Sequence, residues 1–254
     1  MTIKTAVLNG VYTIEIARPE KKNALTAEMY GQMAEGLIAA KADGAVRSVL
    51  ITGQPGIFTS GNDLEDFMKR VGTVAESPAF KFMQALTGCD KPVVAAVTGA
   101  AIGIGTTMLL HCDLVYVSDE ARLAMPFVSL GLVPEFASSL LVPQLMGPRK
   151  AAEKILLGDP FTGQDAVDCG IANAVLPAAE VANHARRIAE RFNALPPSAV
   201  RQTKTLLRRA NADSVMAAIA AENEVFAARL GSPEAKEAFS AFFQKRKPDF
   251  SQFS

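Results

Sequence analysis

The chain has 254 residues, 49% of them hydrophobic and 20% charged, with 26 Lys+Arg against 26 Asp+Glu. That length and apolar content suit one large domain, or one domain with an appendage, around a substantial core. A formal net charge of +0, the absence of tryptophan and 7% aromatic residues leave neither the basic footprint nor the stacking platform that nucleic-acid binding needs.

Cys89, Cys112 and Cys169 are odd in number and widely spaced. They read as reduced residues of a cytoplasmic protein, and they offer no metal-ligand pair. The N-terminal MTIKTAVLNG alternates like a strand and unlike a signal peptide, the C-terminal DFSQFS carries no receptor-read address, and no apolar run is long enough to span a bilayer. Neither nucleic acid nor a membrane is therefore expected as a partner.

In chain order, the apolar runs Ile3–Leu8 and Val11–Ile16 flank Asn9-Gly10 and predict a hairpin. Residues 18–25 form a polar loop. Thr26 is placed to cap a helix that runs to about Lys41, with Met29, Met33, Leu37 and Ile38 on one face. Residues 46–52 read as a buried strand, 53–62 as a glycine-rich loop, 63–70 as a helix, 72–78 as a mobile stretch and 79–87 as a helix. The stretch KPVVAAVTGAAIGIGTTMLLHCD then carries a strand over 92–97 and a turn through Gly99, Gly103 and Gly105. A short helical segment with Met108, Leu109 and Leu110 follows, and then a buried strand over 113–117.

A short strand over 121–124 and a loop or helical turn over 126–134 lead to an amphipathic helix over 135–146, with Pro134 at its first position. Helices are expected over 149–157, over 163–169 after Thr162, and over 178–193, with a short strand over 171–175. From Pro196 onward the pattern is helical only, over 198–210, 214–230 and 233–245. The expectation is an α/β core over 1–195 and a helical C-terminal region over 196–254.

The glycine turn invites a dinucleotide reading, but Gly103-Ile104-Gly105 is followed by Thr106, Thr107 and Met108, so the third glycine of that fingerprint is missing. Taken alone, these glycines serve tight packing of a helix on a sheet. A second loop, Gly56 to Leu64, also follows a buried strand and opens a helix. Two such loops can each aim a backbone N–H at one oxygen atom, the arrangement of an oxyanion hole. Asn62 and Asp63 equally suit helix capping.

Among other candidates, His111 beside Cys112 and Asp113 reads as a packed core histidine, and His184 lies on a surface helix. Thr106 and Thr107 fit either the cleft or a helix start. No Gly-x-Ser-x-Gly elbow is present, and Ser60 has no evident base. Lys204, Arg208 and Arg209, with Leu206 and Leu207 behind them, read as a solvated or subunit-facing stripe.

These pieces together resemble the crotonase superfamily, the enoyl-CoA hydratases and isomerases. The resemblance runs over nearly the whole chain. It covers Arg18-Pro19 through Asn23-Ala24-Leu25, the loop from Phe58 to Asp63, the block from Gly99 to Asp113, residues 126–134, Glu237-Ala238-Phe239 and Lys245-Arg246. It implies a spiral of βα (ββα) units with a helical C-terminal trimerisation region, as a homotrimer or dimer of trimers. It implies oxyanion N–H groups from Asn62 and Ile104. It gives a substrate-binding set of Lys22, Ala24, Leu25, Gly61, Asp63, Leu64, Gly103 and Phe127, with Arg18, Lys21 and Lys22 as candidates for the phosphates of coenzyme A. The acyl pocket would draw on Phe67, Met68 and Met83. No metal and no cofactor are implied, because the coenzyme A thioester is itself the substrate.

The two carboxylates of a hydratase would fall at Thr107 and Phe127, and neither side chain titrates usefully. The remaining acid is Glu135. Its neighbours Leu132, Val133 and Phe136 would desolvate it and make it a better base, while a helix start would favour its charged form. Ser60-Gly61-Asn62-Asp63-Leu64 with Pro134-Glu135 and Ser138-Ser139 resembles the Δ3,Δ2-enoyl-CoA isomerase branch, in which the glutamate moves a proton between C2 and C4. A hydratase or other thioester-enolate enzyme, and a catalytically silent acyl-CoA-binding subunit, are the alternatives.

Overall fold

The protein is described here from a computed structural model, over residues 2–68 and 77–253. The end of the helix expected over 63–70 and most of the stretch expected to be mobile lie outside the described residues. In chain order, the strands are β1 (Ile3–Leu8), β2 (Val11–Ile16), β3 (Ser48–Thr52), β4 (Ile57–Thr59), β5 (Val93–Val97), β6 (Ala100–Ile102), β7 (Leu114–Ser118), β8 (Arg122–Ala124), β9 (Phe161–Thr162) and β10 (Ala174–Leu176). The helices are α1 (Ala27–Ala42), α2 (Leu64–Met68), α3 (Pro78–Thr87), α4 (Ile104–Thr107), α5 (Ser138–Met146), α6 (Pro148–Ala152), α7 (Gly163–Asp168), α8 (Ala178–Arg191), α9 (Pro197–Arg209), α10 (Ala212–Leu230) and α11 (Pro233–Phe243).

The hairpin forms as expected. Leu8 pairs with Val11, and Asn9 and Gly10 both take positive φ, 48° and 70°, the two-residue turn whose twist suits flanking strands. The Thr26 side chain accepts from the Met29 N–H at the start of α1. Met29, Met33 and Leu37 are buried along that helix, whereas Ile38, expected beside them, is 61% exposed. One residue past Leu37 is a rotation of about 100°, which carries Ile38 off the inward stripe. Lys91 ends the helix from outside, its Nζ donating to the carbonyls of Ala40 and Asp43.

The larger sheet has the order β1-β2-β3-β5-β7-β10, parallel from β2 onward. A parallel sheet covered on both faces needs apolar residues on both, and every residue of β5 is buried. On one face Val11, Leu50, Val94 and Ala96 pack under Val181, Ala185 and Ala189 of α8. On the other, Ile14, Val49, Ile51 and Ala95 join Met29, Met33 and Leu37 of α1.

The smaller sheet has the order β4-β6-β8-β9. β4 and β6 lie inside stretches expected to be loop and turn. Each is three residues long and flanked by glycine, too short to show an alternation of its own. The chain therefore spirals: β3, β5 and β7 join the large sheet, and each is followed by a strand, β4, β6 or β8, that joins the small one. Every turn of the spiral adds its loop to the same edge, which gathers the glycine loops.

Two further expectations are corrected. The strand expected over 171–175 forms later, as β10. The stripe of Lys204 and Arg208 does not face solvent. Lys204 is 6% exposed and its Nζ lies 2.7 Å from Asp113 Oδ2, while Arg208 Nη2 reaches Asp113 Oδ1 at 2.9 Å and the His111 carbonyl at 2.6 Å. Leu206 and Leu207 point outward instead, at 65% and 80% exposure. α9 is thus pinned to the core by a carboxylate that both cations share. Free cysteines are found at all three positions, with Cys89 buried.

Candidate active site

The loops after β4 and β6 lie against each other because glycine permits it. A Cβ on Gly61, whose φ is +92°, would sit 2.9 Å from the Ile102 carbonyl oxygen. A Cβ on Gly105 would meet Thr59 Cγ2 at 2.6 Å. Leu25 pairs with this edge: its N–H donates to the Gly61 carbonyl at 2.8 Å, and its carbonyl accepts from the Asp63 N–H at 2.9 Å. The intervening Asn62 N–H is thereby turned away from Leu25. Ile104 opens α4, where an N–H has no partner within the helix. Neither the Asn62 nor the Ile104 N–H has a hydrogen-bond acceptor among the described residues.

Side chains fix the loops. Asn62 Oδ1 accepts from the Tyr30 hydroxyl at 2.8 Å. Asn23, fully buried, donates through Nδ2 to the carbonyls of Ile57 and Phe58 and accepts from the Arg18 N–H. Asp63 caps α2 by accepting from the Asp66 N–H and takes the Arg18 guanidinium at 2.7 Å. Partial burial pushes the Asp63 carboxyl up, but the Arg18 and Asp66 contacts outweigh it and hold the group below the usual range. Arg18 also donates to the Ala24 carbonyl. Arg18 is therefore engaged in the loop, while Lys21 and Lys22 line the outer cavity and Lys236 the inner one.

Two cavities meet here. The outer, of about 610 Å³, is lined by Lys22, Ala24, Gly61, Asp63, Leu64, Gly103 and Phe127. The inner, of about 850 Å³, is walled by Phe67, Met68, Met83, Phe226 and Phe239, and Glu135 is the carboxylate on its wall among the described residues. Asn62, Phe67, Phe226 and Phe243 border both. Phe67 and Phe226 meet edge to face, 5.8 Å between ring centres. Leu25 and Ile104 are each fully buried and line neither cavity; their chain neighbours Ala24 and Gly103 line the outer one. α10 and α11 thus cover the cleft of their own chain. Phe226, Asn223 and Leu230 of α10 line the inner cavity and went unread in the sequence, because apolar spacing on a helix does not say what it covers.

Glu135 is 5% exposed. It does not begin a helix, as expected; α5 starts three residues later. Between them Phe136 and Ala137 take φ of 61° and 56°, left-handed conformations that cost roughly 1–3 kcal/mol each outside glycine. Three contacts hold this turn. The Glu135 carbonyl accepts from Ser138 Oγ at 2.7 Å. The Phe136 carbonyl accepts from His111 Nε2 at 2.8 Å, and the two rings stack with centres 3.9 Å apart. The Ala137 and Ser139 N–H groups donate to the two oxygens of Glu222. A carbonyl only accepts, so His111 carries a proton on Nε2.

Burial lowers the His111 pKa to about 4, the Phe136 carbonyl only partly opposing it. The unfolded chain binds this proton near 6.5 and the folded one does not until about 4, so the stabilisation is complete above 6.5 and is lost as pH falls from there to 4. Roughly 3 kcal/mol of stability is at stake across that window. His111→Gln is expected to flatten urea-unfolding stability between pH 6.5 and 4, and an unchanged slope would refute the assignment.

Thr107, at a position the resemblance gives to a hydratase carboxylate, is fully buried, and its Oγ1 has no hydrogen-bond partner among the described residues. Phe127, at the other such position, is 4% exposed. No group of metal-binding side chains occurs among the described residues. No helix there is long and apolar enough to cross a membrane.

A family model described as enoyl-CoA hydratase/isomerase matches residues 7–253. The human protein named enoyl-CoA delta isomerase 2 is 34% identical over 94% of this chain, which spans 62% of that protein's length. A probable enoyl-CoA hydratase of Bacillus subtilis is 30% identical, with 98% of each chain covered. Among solved structures, Pseudomonas aeruginosa OdaA superposes with a TM-score of 0.93 at 51% identity, covering 95% of this chain and 98% of that one. With the spiral of paired strands and the glycine-loop cleft, these matches establish that the chain belongs to the enoyl-CoA hydratase/isomerase family.

Proposed function

We propose that this enzyme is a Δ3,Δ2-enoyl-CoA isomerase that uses Glu135 as its single base. The observation that carries the reading is the pairing of one buried carboxylate on the inner cavity with Thr107 and Phe127 at the hydratase positions. The thioester oxygen accepts from the Asn62 and Ile104 N–H groups, which lack other acceptors among the described residues. Such preorganised donors are worth about a hundred- to a thousandfold in rate each, because they face the charge that develops as C2–H ionises. Glu135 takes the C2 proton, the dienolate forms, and the same carboxyl returns the proton at C4 to give the conjugated 2-enoyl thioester. No atom is gained or lost and no electron is transferred, so the reaction calls for no redox cofactor, and the two N–H donors stabilise the oxyanion in the place a metal would take.

The acyl chain runs into the inner cavity past Phe67 and Phe226. The pantetheine follows Ala24 and Leu25, and the phosphates lie toward Lys21 and Lys22 at the outer cavity. The helical region 196–254 serves assembly as a homotrimer or dimer of trimers, a reading that the outward Leu206 and Leu207 support. Sedimentation of the pure protein tests that last point.

The reaction is tested by incubating equal amounts of enzyme with 3-enoyl and 2-enoyl thioesters. A shift of the double bond without water addition is the expected result. Net hydration of the 2-enoyl thioester as the faster reaction would replace this reading with the hydratase one, and tight binding without turnover would replace it with a silent acyl-CoA-binding subunit.

A further inference from the structure

We propose that Glu222 of α10 is the positioning residue for Glu135, holding the left-handed turn that aims the base into the inner cavity. The inference rests on the isomerase reading above, since it assigns a role through Glu135. The geometry carries it. Phe136 and Ala137 both have positive φ, and neither is the glycine that would hold such a turn without help. The turn must therefore be fixed from outside.

Ser138 fixes it from within its own segment, and His111 from the segment after α4. Glu222 fixes it from the C-terminal helices, one carboxylate oxygen on the Ala137 N–H at 2.5 Å and the other on the Ser139 N–H at 2.8 Å. Both N–H groups lie at the start of α5, where a helix leaves its donors unsatisfied and favours a negative charge. Glu222 is 7% exposed. Burial pushes its carboxyl up from the ordinary value, and the two N–H bonds oppose that push. The neighbouring Asn223, and Phe226 one turn further, line the same cavity as Glu135. The same stretch of α10 therefore walls the acyl site and sets the angle of its base.

Only an acceptor on both oxygens satisfies two converging N–H groups. Glu222→Gln keeps the shape but turns an NH₂ toward one of them. The variant is expected to lower kcat about ten- to a hundredfold while KM stays within about twofold, since the thioester contacts are untouched. It is also expected to change the fate of the dienolate. In ²H₂O, deuterium entering C2 of recovered 3-enoyl thioester should rise relative to product formed, because a displaced carboxyl reaches C2 and C4 unequally. A residue with only a structural role would leave that ratio unchanged in the folded fraction. Glu222→Asp, which keeps both acceptor oxygens on a shorter stem, is expected to lie between wild type and Glu222→Gln.

A folded Glu222→Gln enzyme with kcat within about twofold of wild type and an unchanged exchange ratio would overturn the proposal. Should that variant not fold, the same outcome in Glu222→Asp would do so. Failure of both to fold would also overturn it, making Glu222 a folding requirement rather than a positioning residue. Glu135→Gln measured alongside separates the two inferences. Wild-type turnover there removes the isomerase reading, whereas loss of turnover there with no effect at Glu222 removes only this one.

Discussion

Glu135→Gln is expected to fold and melt like the wild type and to lose isomerase turnover by roughly 10²- to 10⁴-fold, the span that a positioned general base contributes. The left-handed turn survives because the bonds that fix it run through backbone: the Glu135 carbonyl on Ser138, the next carbonyl on His111, and the following N–H groups on Glu222. None of these contacts uses the Glu135 carboxyl. The amide keeps the volume in a nearly closed site, 5% exposed, so no void is made. It cannot take a proton at any working pH. KM should change little, because the thioester oxygen is held by main-chain donors that the substitution leaves in place. Steady-state kinetics on a 3-enoyl thioester, with a thermal melt of the same sample, check both halves. Near-wild-type kcat in a folded variant would exclude Glu135 as the base.

What the sequence made legible, and what it hid, divides along the range of the interactions. The hairpin at Asn9-Gly10, the Thr26 cap and the all-apolar β5 are local, each written within a few residues. The two glycine loops were legible as a pair because each follows an apolar strand. β4 and β6 were not, since their reality is the pairing of Ile57 with Ala100 and Thr59 with Ala101 across the fold. The start of α5 was misplaced for a related reason. Pro134-Glu135 has the composition of a first helical turn, but the chain there is held left-handed by Glu222, more than eighty positions downstream. The carboxylate at the N-terminus of α5 is thus Glu222 and not Glu135. Lys204 and Arg208 likewise have the spacing of a solvated or subunit-facing stripe, and only the fold brings Asp113 between them. The site residues were readable as a set mainly through their family resemblance; the packing that orients them was not.

Gly99→Ala is expected to be the most damaging glycine substitution for the cleft. Gly99 has φ of +66°, and a Cβ there would lie 1.8 Å from the Gly56 carbonyl oxygen and 2.4 Å from its carbon. The obstacle is backbone, so no side chain can swing aside. The left-handed conformation costs a non-glycine residue about 1–2 kcal/mol, and overpacking against a fixed backbone typically adds about 1–3 kcal/mol. The loss should appear as a melting point many degrees lower. It should also reach the chemistry of whatever fraction folds. Gly99 leads directly into β6, and β6 carries Ile102, against which Gly61 packs, and then Gly103 and Ile104. Parting Gly99 from Gly56 therefore slides the loop bearing the Ile104 N–H away from the loop bearing the Asn62 N–H. Turnover per folded molecule should fall with the separation of those two donors, while the Glu135 turn keeps its bonds to Ser138 and Glu222, which lie on other segments. Gly31→Ala is the matching control. It sits in α1 with nothing within 4 Å of a new Cβ, and it should stabilise the helix by about 0.5–1 kcal/mol without touching turnover. A Gly99→Ala protein as stable and as active as the Gly31→Ala one would mean that the loops after β3 and β5 do not hold the site together, and with that the account of the two N–H donors would fail.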